Sequence, residues 1–168
     1  ARLRSRIAEC LSINQKDVHA FVLGEHGDSS FVPWNSVRIS SLSIEDYRSR
    51  LHYREDFRAE LDKDDIENYI RTSGGKIIAR KGATFYAIAV SVCDIVKTLL
   101  NGSDTILCIS SMMHGEFGIE DVCLSIPTIV NGEGIKGTLL PELTPDEEDK
   151  LRHSADVLKQ VIAQIDFG

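Results

Sequence analysis

Apolar residues recur every three or four positions at the start of the chain, a spacing that is typical of an amphipathic helix. Within Ala1 to Leu11, one face carries Leu3, Ile7, Cys10 and Leu11. The same spacing returns between Asp64 and Leu100, where glycines interrupt it. Because glycine is unfavourable in a helix interior, we predict one long helix that is bent or broken near Gly82.

The sequence near the end of the chain carries the signals of a helix start. Thr144 is a good N-cap, Pro145 suits the first helical position, and Glu147 is spaced to complete a capping box with Thr144. One apolar face then repeats at Leu151, Ala155, Leu158, Ile162 and Ile165. We therefore predict a long final helix.

Short runs of apolar and β-branched residues predict strands. Two early extended segments are Val18 to Leu23 and Phe31 to Ile39, and Pro33 places the start of the second at a sheet edge or a bend. Three later runs are Thr105 to Met112, Val122 to Val130 and Ile135 to Leu140. Their short connections favour antiparallel pairing. With the helices, this pattern predicts a single α+β domain over residues 1–168.

The composition is that of one globular domain: 168 residues, 42% hydrophobic and 27% charged. The net charge of −7 argues against a nucleic acid or an acidic membrane as partner, because both require a positive surface. The sequence lacks the run of roughly 20 apolar residues that spans a bilayer, so we expect a cytoplasmic protein. The charge-dense segment from Tyr47 to Asp64 indicates solvated surface helix and connection.

The cysteines are widely spaced, lie among apolar neighbours and form no C-x-x-C pair; they are Cys10, Cys93, Cys108 and Cys123. This pattern predicts buried free thiols in a reducing compartment. It argues against a disulfide framework and against a metal site.

Residues 132–137 read Gly-Glu-Gly-Ile-Lys-Gly, which matches the G-x-G-x-x-G pattern of dinucleotide-binding turns. That motif works by aiming a helix N-terminus at a pyrophosphate. Here the sequence continues Thr-Leu-Leu-Pro, a brief strand that proline stops. We interpret the motif as a turn between strands and expect no Rossmann domain in this chain.

His26 has a setting that the other histidines lack. It follows an apolar run, stands between Gly24 and Gly27, and has Glu25 and Asp28 close in sequence. Glycines let the backbone approach a ligand closely, and neighbouring carboxylates bias the charge of an imidazole. These features leave a catalytic histidine and an ordinary structural turn equally open. Structural or exposed roles are expected for His52, His114 and His153.

Three segments resemble blocks of one enzyme family. Residues 19–29 read His-Ala-Phe-Val-Leu-Gly-Glu-His-Gly-Asp-Ser, residues 1–4 read Ala-Arg-Leu-Arg, and residues 81–88 read Lys-Gly-Ala-Thr-Phe-Tyr-Ala-Ile. The first resembles the active-site segment of the L-lactate dehydrogenase family, and the second resembles the end of that family's Asp-x-Ala-Arg motif. Glu25 favours this branch over typical malate dehydrogenases. The similarity covers this chain but about half of a family member.

The resemblance implies a fold and a set of site residues. The expected fold is that of the family's C-terminal domain, a mostly antiparallel sheet packed with long helices. His26 is implied as the proton donor and acceptor, which suits an imidazole that titrates near neutrality. The resemblance implies that Arg2 binds the substrate carboxylate. This role suits a planar guanidinium, which can donate two parallel hydrogen bonds. Thr84 is implied beside the substrate side chain and Ile88 against the nicotinamide ring, both on one helix face.

The implied activity is the interconversion of pyruvate and L-lactate with NAD as the cofactor. An L-2-hydroxyisocaproate-type or malate dehydrogenase stays open, because a pocket discriminates one methylene by only about 1–3 kcal/mol. A non-catalytic oligomerisation or regulatory module is an alternative from another class. By the resemblance, the carboxylate partner of His26 belongs two residues before Ala1, and an N-terminal NAD-binding Rossmann domain is absent from these residues. We therefore expect the chain alone to be inactive.

Two further positions suggest regulation. Arg4 and His19 match positions that bind fructose 1,6-bisphosphate between subunits in allosteric bacterial members of the family, and cationic donors suit a phosphate. The resemblance also implies a homo-oligomer, a tetramer for the full-length enzyme, with a dimer left open for this chain.

Overall fold

The computed structural model describes residues 1–52 and 61–165. The helices are α1 (Arg2–Leu11), α2 (Ile44–Arg50), α3 (Lys63–Lys81), α4 (Tyr86–Leu100) and α5 (Pro145–Ile162). The strands are β1 (Val18–His19), β2 (Arg38–Ile39), β3 (Thr105–His114), β4 (Glu120–Asn131) and β5 (Gly134–Thr138). The predicted α+β class is confirmed. The predicted surface helix and connection from Tyr47 to Asp64 covers the end of α2, residues 53–60, which lie outside the described residues, and the first residues of α3.

The larger sheet is an antiparallel meander in the order β3-β4-β5. Thr105 pairs with Val130 across β3 and β4, and Thr128 pairs with Thr138 across β4 and β5. The prediction of antiparallel pairing is confirmed. Gly132 and Glu133 form the turn between β4 and β5, so the G-x-G-x-x-G match is a strand connection, as the proline-stopped sequence predicted.

The two early extended segments contain less strand than predicted. Within the described residues, β1 and β2 form a two-residue ladder, and a separate antiparallel bridge joins Leu23 to Phe31. A short 3-10 turn occupies Trp34–Ser36, where the N–H of Ser36 donates to the carbonyl of Pro33 at 2.9 Å. The apolar pattern predicted burial correctly, but this turn interrupts the second predicted extended segment.

The predicted break near Gly82 is confirmed. Gly82 ends α3 with a φ of 79°, and its N–H donates to the carbonyl of Ile78 at 2.8 Å. This left-handed cap is favoured by a residue without a Cβ, and here it turns the chain from α3 into α4.

The structure has two clusters of buried apolar side chains. The first lies between α1, the β1–β2 pair, α2 and α3, and it includes the α1 residues Leu3, Ile7 and Leu11. The second lies between β4 and α5 and includes Leu124 and Leu151. The predicted α1 face is thus largely confirmed, although its fourth member, a cysteine, is only half-buried.

The final helix begins as predicted. Thr144 accepts a hydrogen bond from the backbone of Glu147, and the Glu147 carboxylate accepts one from the backbone of Thr144, which confirms the capping box. The predicted apolar face is buried at Leu151 but exposed at Ile162 and Ile165. The second half of α5 therefore extends beyond the core with which its first half packs.

Helix α4 differs from the other long helices because none of its residues, all within the described part of the chain, is buried. Its apolar side chains are exposed along its whole length, from Tyr86 to Leu100, which is 80% exposed. Even so, the described residues include no helix long and apolar enough to cross a membrane.

The prediction of buried thiols is wrong. The four cysteines are free, but Cys93, Cys108 and Cys123 are exposed and Cys10 is half-buried. The reason is that their apolar neighbours lie on strands and helices whose outer faces are open. The thiol of Cys108 itself is sheltered on one side, since it donates to the carbonyl of Val22 at 3.2 Å, and burial raises its pKa to about 11.

Candidate active site

A cavity of about 320 Å³ lies between the start of α1 and the corner where α3 turns into α4. Arg2 lines it from α1, and Thr84 and Phe85 line it from the α3–α4 connection. Two residues predicted to bind substrate, Arg2 and Thr84, therefore share one cavity although 82 positions separate them in the sequence (84 minus 2).

The charge of this cavity is opposite to that of the whole chain. Its charged lining residues, among those that the structure describes, are Arg2, Lys76, Arg80 and Lys81. The chain as a whole has a net charge of −7. A concave site lined by one sign of charge attracts ligands of the other sign. The cations around the cavity favour an anionic ligand, whereas most of the lining surface itself is apolar.

The Arg2 side chain passes next to Gly74 in α3. A Cβ added at Gly74 would lie 3.5 Å from Nη1 of Arg2, so the guanidinium runs closely past the helix backbone. A Cβ at this distance would make an ordinary van der Waals contact, so the half-buried arginine packs against α3 without requiring the glycine.

Thr84 and Ile88 do not share a helix face in the predicted way. Phe85 is the N-cap of α4, so Thr84 lies before the helix and Ile88 lies in its first turn. The spacing of four residues suggested one helical face, but the turn that follows Gly82 is longer than the sequence indicated. Thr84 lines the cavity, whereas Ile88 is absent from its lining and is 54% exposed.

His26 lies on a loop whose base is fixed to the sheet. The backbones of Leu23 and Phe31 exchange two hydrogen bonds of 2.9 and 3.2 Å. The backbones of Gly24 and Ser125, in β4, exchange two more of 3.2 and 2.7 Å. The segment Gly24–Ser30, which we call the histidine loop, is thus closed at its neck, and it presents the exposed side chain of His26.

The histidine loop is also tied internally. Oε1 of Glu25 accepts hydrogen bonds from the N–H of Ser29 at 3.1 Å and from its hydroxyl at 2.6 Å. The hydroxyl of Ser30 donates to the carbonyl of Gly27 at 2.8 Å. A Cβ at Gly27 would lie only 2.9 Å from Oε1 of Glu25, so the glycine makes room for this carboxylate. Glu25 therefore shapes the loop.

The other predicted residues lie apart from the cavity lining. His26 is not among the residues that line it, so the structure unites Arg2 with Thr84 but leaves the histidine on a separate loop. Arg4 and His19, the predicted phosphate ligands, are exposed on α1 and β1, two elements that contact each other.

Sequence reasoning missed two groups of residues at these sites. Lys76 and Arg80 line the cavity one helical turn apart on α3, a spacing of cations that was visible in the sequence. Ser154 on α5 contacts the histidine loop, but nothing in the local sequence around it distinguishes it from an ordinary helix serine.

Residues 1–166 match the protein family described as lactate/malate dehydrogenase, alpha/beta C-terminal domain. The chain belongs to this family. The resemblance inferred from the three sequence segments is confirmed, and so is the expected family fold.

Curated members of the lactate/malate dehydrogenase family are similar over nearly the whole chain. L-lactate dehydrogenase 2 of Clostridium acetobutylicum is 40% identical over 164 residues, which are 96% of this chain and 49% of that protein. L-lactate dehydrogenase of Thermoanaerobacterium saccharolyticum is 37% identical over 169 residues, 99% of this chain and 53% of that protein. The chain spans about half the length of the curated relatives it matches.

Solved structures of family members have the same fold. L-lactate dehydrogenase from Clostridium thermocellum superimposes with a TM-score of 0.84 at 40% identity, over 98% of this chain and 52% of that one. A minor L-lactate dehydrogenase from Enterococcus mundtii, solved in a ligands-bound form, gives 0.87 at 31% identity, over 99% and 52%.

Proposed function

We propose that this chain is the substrate-binding half of an L-lactate dehydrogenase, which interconverts pyruvate and L-lactate with NAD as its cofactor. The observation that carries the proposal is the cationic cavity in which Arg2 and Thr84 meet. The relatives described above are L-lactate dehydrogenases, which favours lactate over malate or a branched-chain hydroxy acid, and which favours an enzyme over a non-catalytic module.

Arg2 binds the substrate carboxylate in this proposal. Its planar guanidinium offers parallel N–H donors at the spacing of carboxylate oxygens. Lys76, Arg80 and Lys81 raise the positive potential of the cavity, which favours entry of a keto acid. Thr84 and Phe85 supply the surface for the small side chain of pyruvate.

His26 transfers the proton. Reduction of a keto acid requires a proton at the carbonyl oxygen, and an imidazole near neutrality donates in one direction and accepts in the other. The fixed neck of the histidine loop supports this role, because a general acid must be held within hydrogen-bond reach of the atom it protonates.

The cofactor fits the exposed first turn of α4. An aromatic ring needs a flat apolar surface, and Ile88 offers its side chain, 54% exposed, at that position. When bound, a reduced nicotinamide supplies the hydride. Ile88 holds the ring on one side, while the rest of the dinucleotide is bound by a nucleotide-binding domain that we propose outside residues 1–168. The chain alone is then inactive.

The remaining expectations belong to the same proposal. The full-length enzyme is a homo-oligomer, a tetramer, in this proposal. Arg4 and His19 bind fructose 1,6-bisphosphate between its subunits. Both side chains are exposed in this chain and are therefore available to a phosphate. If activation by the sugar bisphosphate survives replacement of both residues, this part fails. The free cysteines support a location in the reducing cytoplasm.

The test uses the full-length protein, this chain together with the proposed nucleotide-binding half. Wild type is expected to reduce pyruvate with NADH and to prefer it to oxaloacetate and to 2-ketoisocaproate. Arg2→Lys should lower kcat/KM for pyruvate about a hundredfold, because the bidentate pair is lost. His26→Ala should lower kcat by roughly 10²–10⁴.

Arg152→Lys is the matched control, since Arg152 is an exposed arginine whose ion pairs with Glu148 and Asp149 lie on α5. It should leave both constants unchanged. A wild type without turnover of any keto acid would favour the non-catalytic module, and a preference for oxaloacetate would favour a malate dehydrogenase.

A further inference from the structure

Ser154 is a buried polar residue of α5 that the proposed reaction does not use. It is 0% exposed, in contrast to most serines of helices. Its Oγ lies 2.7 Å from the backbone nitrogen of Glu25 and 2.9 Å from Oγ of Ser29. A single hydroxyl from the final helix therefore contacts both sides of the histidine loop.

The backbone of the loop at Gly24 lies close to the side chain of Ser154 on α5. Gly24 has a φ of 93°, and a Cβ added there would lie 2.5 Å from Oγ of Ser154. Any other residue at this position would collide with the hydroxyl and would also adopt an unfavourable backbone conformation. The absence of a side chain at Gly24 thus leaves space for the hydroxyl of Ser154.

The donors and acceptors of this contact have one consistent arrangement. An ionised Glu25 carboxylate only accepts, so the hydroxyl of Ser29 donates its hydrogen to Oε1 of Glu25. Ser29 then has no hydrogen left for Ser154, so the hydroxyl of Ser154 donates to Oγ of Ser29. Ser154 meanwhile accepts from the N–H of Glu25. The three bonds form a closed ring in which each group polarises the next.

From this ring we infer that Ser154 is a positioning residue for His26, fixing the backbone of the neighbouring Glu25 and the far side of the same loop. The inference rests on the proposed role of His26 as the proton donor. A displacement of about 1 Å at a reacting group costs up to about a hundredfold in rate, so a serine distant in sequence affects catalysis without contacting substrate.

The experiment replaces Ser154 in the full-length protein. Ser154→Ala should lower kcat for pyruvate by about tenfold to a hundredfold, with KM changed less than twofold, since Arg2 and the cavity are untouched. Ser29→Ala removes the middle hydroxyl of the ring without altering α5, and it should lower kcat in the same way. This second variant keeps the inference testable if Ser154→Ala does not fold.

The matched control is Ser73→Ala. Ser73 is also a buried helix serine, but its hydroxyl donates to the carbonyl of Ile70 in its own helix, α3. Its replacement should leave kcat unchanged. An equal loss of kcat in Ser73→Ala and Ser154→Ala would reduce Ser154 to a general contributor to stability and would overturn the inference.

A second measurement does not depend on turnover. Hydrogen exchange at the backbone amide of Glu25, followed by NMR without cofactor, should accelerate at least tenfold in Ser154→Ala and remain unchanged in Ser73→Ala. Unchanged exchange at Glu25, or a kcat within twofold of wild type in a folded Ser154→Ala, would contradict the inference. If wild type itself lacks activity, the proposed function fails, while the exchange rates still decide whether Ser154 holds the loop.

Discussion

The histidine loop is polar but held in place by hydrogen bonds, whereas α4 is apolar but exposed. The loop is short, polar and glycine-rich, a composition typical of mobile surface segments. It is nevertheless held by backbone pairs at its neck, by Glu25 inside it and by Ser154 from α5. Helix α4 is strongly apolar, a composition typical of a core helix, yet none of its residues, all of them described, is buried.

The comparison shows that a polar, glycine-rich segment can be tied to its surroundings by hydrogen bonds, and that an apolar helix can remain exposed within one chain. Backbone and carboxylate groups fix the loop because the N–H groups of Gly24, Glu25 and Ser29 all have partners at hydrogen-bond distance. Helix α4 contacts β4, but the described residues of this chain leave most of its apolar surface exposed. Exposed apolar patches of this extent mark interaction sites. We propose that the nucleotide-binding half covers it in the full-length protein.

The largest contrast is expected from the same substitution in the core and on α4. Leu124 is 0% exposed in the cluster between β4 and α5, and Leu100 is 80% exposed at the end of α4. Leu124→Ala should lower the free energy of unfolding of the chain by about 2–5 kcal/mol, because it leaves a cavity. Leu100→Ala should change it by less than about 0.5 kcal/mol.

Urea titration of the two variants, at a protein concentration where the chain is monomeric, measures this difference. Equal losses of stability in both variants would mean that α4 is packed within the chain. The comparison between the loop and α4 would then be wrong.

A smaller contrast is expected between two glycines with positive φ. Gly24, in the loop, leaves room for Ser154, whereas a Cβ added at Gly82, between α3 and α4, would meet no atom within 4 Å. Gly24→Ala should cost roughly 2–4 kcal/mol, from backbone strain together with overpacking. Gly82→Ala should cost only the backbone strain of about 1–2 kcal/mol. Thermal unfolding monitored by circular dichroism distinguishes the two, and equal costs would show that the loop and α5 are not closely packed.

Local signals predicted those elements that depend on nearby residues. The capping box of Thr144 and Glu147, the break at Gly82 and the antiparallel meander involve contacts within a helix turn or between consecutive strands. His26 and Arg2 were selected from motifs; Arg2 lines the cavity, His26 lies on a separate loop, and their roles stay predictions. Sequence patterns alone identified the family and most of the secondary structure.

The features that were missed depend on contacts between distant residues. Ser154 and Glu25 are 129 positions apart, and no periodicity links a helix serine to a glycine loop. The exposure of α4 was equally invisible, because hydrophobic spacing predicts that a face will be covered but does not say by which chain. The same limit explains why the cysteines, expected inside, lie mostly at the surface.

The smallest effect concerns association through α4. Because its apolar surface is uncovered, the chain should self-associate, and Val90, which is 61% exposed, lies in the middle of that surface. Val90→Lys should weaken self-association about tenfold, equivalent to about 1.4 kcal/mol, because each copy would bury an unpaired charge. Sedimentation velocity over a range of concentrations measures the change.

The matched control places the same charge on an exposed position of another helix, Gln160→Lys on α5. Its association should equal that of wild type. If both lysines weaken association equally, the cause is the general increase in positive charge, and α4 is not the surface through which the chain self-associates. If only Val90→Lys weakens association, the chain self-associates through the apolar face of α4. The polar histidine loop, in contrast, has its contacts within the chain.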